Sequence, residues 1–202
     1  MGRSMVVGAN VAVMIFFAMT AGIFSTALCA SQVQAAELDY VNVHNKSKRF
    51  FVTSRAIVHA PLNEVYATLI DFDEYEKFSS IYTDARWLTR NADDSGEIYT
   101  YTRGCIAFFC KGLERVETVI VKPQTFIETR VDPTRSDARH GVSTWRLTGL
   151  GNTTVIEFDM EFEPSFWMPP LIGPYLVKRR LKQGGEDAIT RIEVLAKERI
   201  AR

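Results

Sequence analysis

Histidine and cysteine are scarce, with three of each in 202 residues. Metal centres and thiol or imidazole catalysis need several such groups brought together. His44 and His140 lie in polar or turn-like stretches, and His59 stands just before Pro61. Surface or capping roles account for all three, with a general base as the alternative. The ordered catalytic motifs are missing too: there is no HExxH, GxSxG, phosphate-binding loop or dinucleotide glycine fingerprint. Net charge is also lacking. Lys+Arg and Asp+Glu both number 24, so no overall positive field favours nucleic acid. Nothing in the composition forbids a core: 47% of residues are hydrophobic and 24% charged, and the length suits one domain.

Charge is absent altogether from Ser4 to Ala36. Arg3, an apolar core and small residues at Val33-Gln34-Ala35 read as a secretory signal over residues 1–35, with a mature chain from Ala36. The apolar run exceeds the usual ~7–15 residues of a signal core, so an uncleaved anchor stays open as the alternative. Residues 36–48 read as a polar leader without a clear period, and 49–202 as the domain. Export then bears on Cys105 and Cys110, the two cysteines left after cleavage. An oxidising compartment favours pairing them, across a hairpin end with Ile106–Phe109 in the loop. Two free thiols are the alternative.

Periodicity organises the rest. Arg49–Ala60 is rich in β-branched and aromatic residues, as a strand is. Pro61 suits a helix start, and Leu62, Val65, Tyr66, Leu69 and Ile70 follow on one helical face. A second short helix is expected near Phe72–Ser80. Six further strand candidates run from Thr83 to Phe162, separated by turns. In the last, Thr154, Ile156, Phe158, Met160 and Phe162 alternate with acidic residues, so one face is buried and one solvated. Arg103, Arg130 and Arg146 are expected to pair with Glu157, Asp159 and Glu161 across neighbouring strands. A long helix closes the chain, with Val177, Leu181, Ala188, Ile192 and Leu195 as its stripe. Gly184-Gly185 in mid-helix costs about 1 kcal/mol per glycine and points to a close approach there. The order predicts an α+β fold: a curved antiparallel sheet of about seven strands around a long C-terminal helix, with two short helices after the first strand.

With "RAIVHAPLNEVYATLIDFDEYEKF" at one end, and "TWRLTGLGNTTVIEFDMEF" followed by the long helix at the other, the chain resembles the START-like (SRPBCC) helix-grip superfamily. It is most similar to the polyketide cyclase/dehydrase and coenzyme Q-binding START subgroups. The resemblance implies a cavity between sheet and helix for a lipid, sterol or quinone-like molecule, with no cofactor and no metal, in a monomeric carrier. Together with the signal it implies a bacterial periplasm. Trp145, Ile156, Phe158, Met160, Phe162, Leu181, Gly184 and Ala188 are the candidate cavity residues. Arg115 with Glu114 and Glu117 is assigned to the solvent face or a strand end, with one charged pair inside a cavity as the alternative.

The proline-rich segment before the helix, with Phe166, Trp167 and Met168, reads as a lid on the domain's own core. The sharper alternative is a membrane contact, with Lys178, Arg179, Arg180 and Lys182 against anionic headgroups. A cyclase or dehydratase is the alternative function, and it expects a titratable cluster deep in the cavity. A carrier expects a nearly dry wall. A protein-interaction module expects a filled core and an exposed Trp167.

Overall fold

A computed structural model describes residues 36–106, 109–166 and 173–202. The expectations for the segment 1–35 and for Trp167 and Met168 lie outside the described residues. The elements follow as β1 (Glu37–Lys46), β2 (Arg49–Val58), α1 (Leu62–Leu69), α2 (Tyr75–Phe78, after a 3-10 turn at Phe72–Glu74), β3 (Tyr82–Arg90), β4 (Gly96–Ile106), β5 (Phe109–Lys122), β6 (Phe126–Val131), β7 (Ala138–Leu150), β8 (Thr153–Pro164) and α3 (Gly173–Ile200). The strands form one open antiparallel sheet in the order β1-β2-β8-β7-β6-β5-β4-β3. The expected helix-grip architecture is present, with eight strands instead of about seven.

The extra strand is the segment read as a polar leader. β1 pairs with β2 from Glu37↔Ile57 to Lys46↔Arg49. A bulge between Leu38 and Tyr40 breaks its alternation, so the inward residues are Leu38, then Val41 and Val43. The β4–β5 hairpin is also tighter than the expected turn. Pairing continues through Cys105↔Cys110 to Ile106↔Phe109, so Ile106 and Phe109 belong to the ladder.

Two ends of the sheet follow from these registers. The β1–β2 turn, the β4–β5 tip, the end of β8 and the start of α3 gather at one end. There Ser165 N–H donates to the Asp137 carbonyl, and Asp137 N–H to that of Glu114. The β2–α1, β3–β4 and β7–β8 connections and the end of α3 gather at the other. α1 begins where the Pro61 carbonyl accepts from the N–H groups of Glu64 and Val65, both at 3.1 Å. It turns Val65, Tyr66 and Leu69 inward.

The core fills the space between the concave face and the helices. Val58, Val65, Leu69, Phe72 and Ile127 are completely buried, and Ile98, Val119, Ile156 and Ile192 nearly so. Each such side chain contributes about 1.5–3 kcal/mol. The buried line of α3 is Ile189, Ile192, Glu193 and Ala196, while Val177, Leu181, Ala188 and Leu195 flank it half-buried. The predicted stripe is thus rotated slightly off the contact face. Gly184 is the close approach: a Cβ there would stand 2.2 Å from Ile81 Cδ1.

The outer face carries ion pairs. Arg146 meets Asp159 at 2.7 Å across β7 and β8, as expected. Arg130 instead pairs with Glu128 of its own strand at 2.6 Å. Arg49 meets Glu161 and Glu163 at 3.3 and 3.4 Å. Exposed pairs like these contribute at most about 1 kcal/mol each.

Candidate ligand cavity

Strand phase decides which side chains look inward. On β5, Arg115 and Glu117 share a face with Val119, and their ladder partners Thr100 and Ile98 on β4 are buried with them. On β7 and β8 the corresponding residues are Ser143, Trp145, Phe158 and Met160, with Trp145 opposite Phe158 and Ser143 opposite Met160. These residues, with Phe72, Tyr75, Tyr82 and Thr129, enclose a cavity of about 40 Å³. That volume holds a few waters at about 10–15 Å³ each, whereas small-molecule sites run to ~300 Å³ or more.

One wall is apolar. The Trp145 and Phe158 rings lie 4.9 Å apart, and Phe72 stacks edge-on to Trp87 at 4.9 Å. Phe158, Met160 and Phe162 are only half-buried, although they point to the concave side. β8 therefore leaves an apolar track running from the cavity toward the end of the sheet where α3 begins.

The other wall is polar, which corrects the assignment of Arg115 and Glu117 to the solvent face or a strand end. Arg115 is 8% exposed and Glu117 4%, and only Glu114 points outward. Arg115 Nε lies 3.3 Å from Glu117 Oε1, close enough for charge pairing but not aligned as a hydrogen bond. Thr100 Oγ1 donates to the same carboxylate oxygen at 3.2 Å. Tyr82 is hydrogen-bonded to the guanidinium. Tyr75 donates its hydroxyl to the Leu69 carbonyl at 2.7 Å.

Burial raises both tyrosines above the ordinary phenol value, with Glu117 adding to it and Arg115 opposing it. Burial alone would lower Arg115, but Glu117 and Tyr82 more than offset this and its value is raised. At neutral pH the site therefore presents a fixed cation and two protonated phenols beside the Glu117 carboxyl group, which is its acceptor. The guanidinium and the phenols orient and donate hydrogen bonds, and they do not accept protons. Among the described residues no cluster of three His, Cys, Asp or Glu side chains could hold a metal.

The remaining candidates separate. Trp145, Phe158 and Met160 line the cavity. Ile156 lies in the packed core beside it, opposite Ala56 and Leu147. Phe162 sits further along the same track, between Phe50 and Gly141. Leu181 and Ala188 flank the α3 contact face and do not border the cavity, and Gly184 abuts Ile81. Phe166 lies beside Lys111, whose Nζ is 5.8 Å from the ring centre. Arg180 donates to the Ser80 carbonyl at 3.2 Å, and Lys182 faces Glu186 at 4.0 Å. Sequence reasoning missed Tyr82, and held Arg115 and Glu117 inside a cavity only as the alternative. For Arg115 and Glu117 the available signal was the parity they share with Val119 and Val121, obscured by Val116 and Ile120 on the opposite parity.

Residues 58–185 match the family described as polyketide cyclase/dehydrase and lipid transport. The chain belongs to this family. Its fold is shared with a START superfamily protein from Mycobacterium smegmatis at 16% identity and a TM-score of 0.58, covering 73% of this chain and 97% of that one. It is shared equally with the Zhui aromatase/cyclase from Streptomyces sp. R1128 (14% identity, TM-score 0.62; 75% and 96%). Human STARD10 is a third neighbour (11% identity, TM-score 0.54; 78% and 73%). No protein with a curated description matches in sequence. At these identities the solved structures support the fold, and the family supports hydrophobic-ligand binding or cyclase activity as the two classes of function.

Proposed function

We propose that this family member is an exported binding protein for a hydrophobic small molecule whose polar end is a neutral hydroxyl group. The carrying observation is the juxtaposition of the half-buried track Trp145–Phe158–Met160 with the buried Arg115–Glu117 pair. A hydroxyl donates to Glu117 and accepts from Arg115, so it satisfies both. A carboxylate or phosphate gains from Arg115 but is repelled by Glu117 a few ångströms away. The apolar body lies along β8, where burial at ~25 cal/mol per Å² supplies affinity without any reaction. The cavity widens on loading, because Phe158, Met160 and Phe162 already face space toward the α3 end of the sheet. Signal-directed export to the periplasm and a monomeric state complete the reading. Cys105 and Cys110 form a disulfide in it, supported by their direct opposition across β4 and β5.

The polar wall gives the cyclase or dehydratase reading an observation of its own, since a dry wall was expected of a simple carrier. Native mass spectrometry of the protein from its host, followed by organic extraction, separates the two. A stoichiometric, chemically unchanged amphiphile is the expected result. Turnover of the extracted compound on re-addition would replace binding with catalysis, and an empty protein would remove both. The same spectrum reads the disulfide, as a chain lighter by its two thiol hydrogens.

A further inference from the structure

The α3 end of the sheet carries cations from three separate parts of the chain. Lys46 and Lys48 flank the left-handed Ser47 (φ 57°) at the β1–β2 turn, and both are exposed. Lys111 stands near the β4–β5 tip, and Lys178, Arg179 and Arg180 occupy the first turns of α3. Among the described residues Lys46, Lys48, Lys178 and Arg179 make no ion pair, and Arg180 reaches only the Ser80 carbonyl. The acidic residues nearby are fewer than these cations, the exposed Glu114 among them. Glu161 and Glu163 are held by Arg49, and Asp137 accepts from the Glu114 backbone N–H. A shallow concavity of about 410 Å³ opens at this end, lined by Lys46, Ser47, Lys48, Arg49, Phe51 and Glu163. At the opposite end Arg90, Lys197 and Arg199 sit in ion pairs with Asp94, Glu193 and Asp71, and the exposed Lys122 and Arg202 are set against the exposed Glu37 and Glu198. Asp93 is left exposed there. A chain with equal numbers of charges is therefore lopsided along its strands.

We infer that the protein docks on an anionic lipid bilayer with its α3 end first, and that the β1–β2 turn forms one arm of the contact. An extended negative plane engages all three cationic arms at once, whereas a compact anion meets only one. Each basic residue brought to such a surface strengthens binding roughly fivefold, screened by salt. The apolar track on β8 opens toward this same end, so docking places it against lipid. The inference rests on the ligand-binding reading for its purpose, but not for its test.

The test is hydrogen exchange of the full chain with vesicles of phosphatidylcholine alone, and of phosphatidylcholine with phosphatidylglycerol. Only the anionic vesicles should protect residues 46–49 and the start of α3, with residues 91–95 unchanged. Lys46→Glu/Lys48→Glu, a pair of exposed turn substitutions, should weaken anionic binding at least tenfold and leave the thermal midpoint intact. Equal protection by both vesicles, protection at 91–95, or an unaffected double variant would overturn the inference. Protection produced by an acidic partner protein but not by anionic vesicles would also overturn it. Extracted ligand measured on the same variant keeps the two readings apart: retained ligand with lost docking implicates the surface alone.

Discussion

Arg115 and Glu117 are each nearly out of water, and neither is stable there alone. Desolvating one such ion costs several kcal/mol, and the partner's field and the neighbouring hydroxyls offset that cost. Arg115→Leu should therefore destabilise the fold by about 3–5 kcal/mol in urea denaturation, because it strands Glu117. Replacing both residues by Met and Leu should restore or exceed the original stability while abolishing preference for a hydroxylated ligand. A single variant as stable as the parent would mean that water already solvates the pair. Glu193 tests a second buried carboxylate. Burial alone would raise it, but Lys197, the His59 backbone N–H and the His59 ring hold it below the ordinary glutamate value. A depressed carboxylate stabilises above its unfolded value and loses that contribution as pH falls through the folded one. The acid limb of stability below about pH 4.5 should flatten in Glu193→Gln, as thermal melts across that range would show. The sequence offered the buried pair only as an alternative and the Glu193 role not at all. "LERVET" reads equally well in either phase, and Glu193 looks like a solvated helix residue until His59 is brought 3.2 Å from it.

α3 combines unequal halves. Its later half buries Ile189, Ile192 and Ala196 and is tied down by Glu193 and Arg199, while its first half, apart from Gly173 and Gly184, is half-buried or exposed. Gly184 and Gly185 stand between them, and the two are not equivalent. A Cβ on Gly185 would meet only Val41 Cγ2 at 3.8 Å, but one on Gly184 would drive into Ile81. Gly185→Ala should raise stability by about 0.5–1 kcal/mol in chemical denaturation, and Gly184→Ala should lower it. Equal effects would mean that Ile81 moves aside freely. A close approach at this glycine pair was readable from the sequence, since two glycines in a long helix demand a reason. Which glycine carried it was not, because Ile81 arrives from a connection about a hundred positions earlier. β1 stayed hidden for a local reason: the bulge after Leu38 shifts its apolar residues off a period of two.

For the molecule as a whole, the architecture was the most legible level. Six strands from Thr83 onward keep their alternation because one face meets the core and the other meets water. The contents of the cavity were the least legible. They depend on which of two parities turns inward, and neighbouring strands settle that together. The same sheet order has a consequence in time. β2 finds its second neighbour only in β8, so that Arg49 meets Glu161 across 112 positions. A chain emerging from its N-terminus can close the β1–β2 hairpin early, yet the hairpin has no sheet to join until nearly everything else has appeared. Long-range pairing of this kind slows folding and leaves edges unprotected meanwhile. The ligand cavity, whose sheet walls run from β3 to β8, is likewise completed only as the last strand arrives.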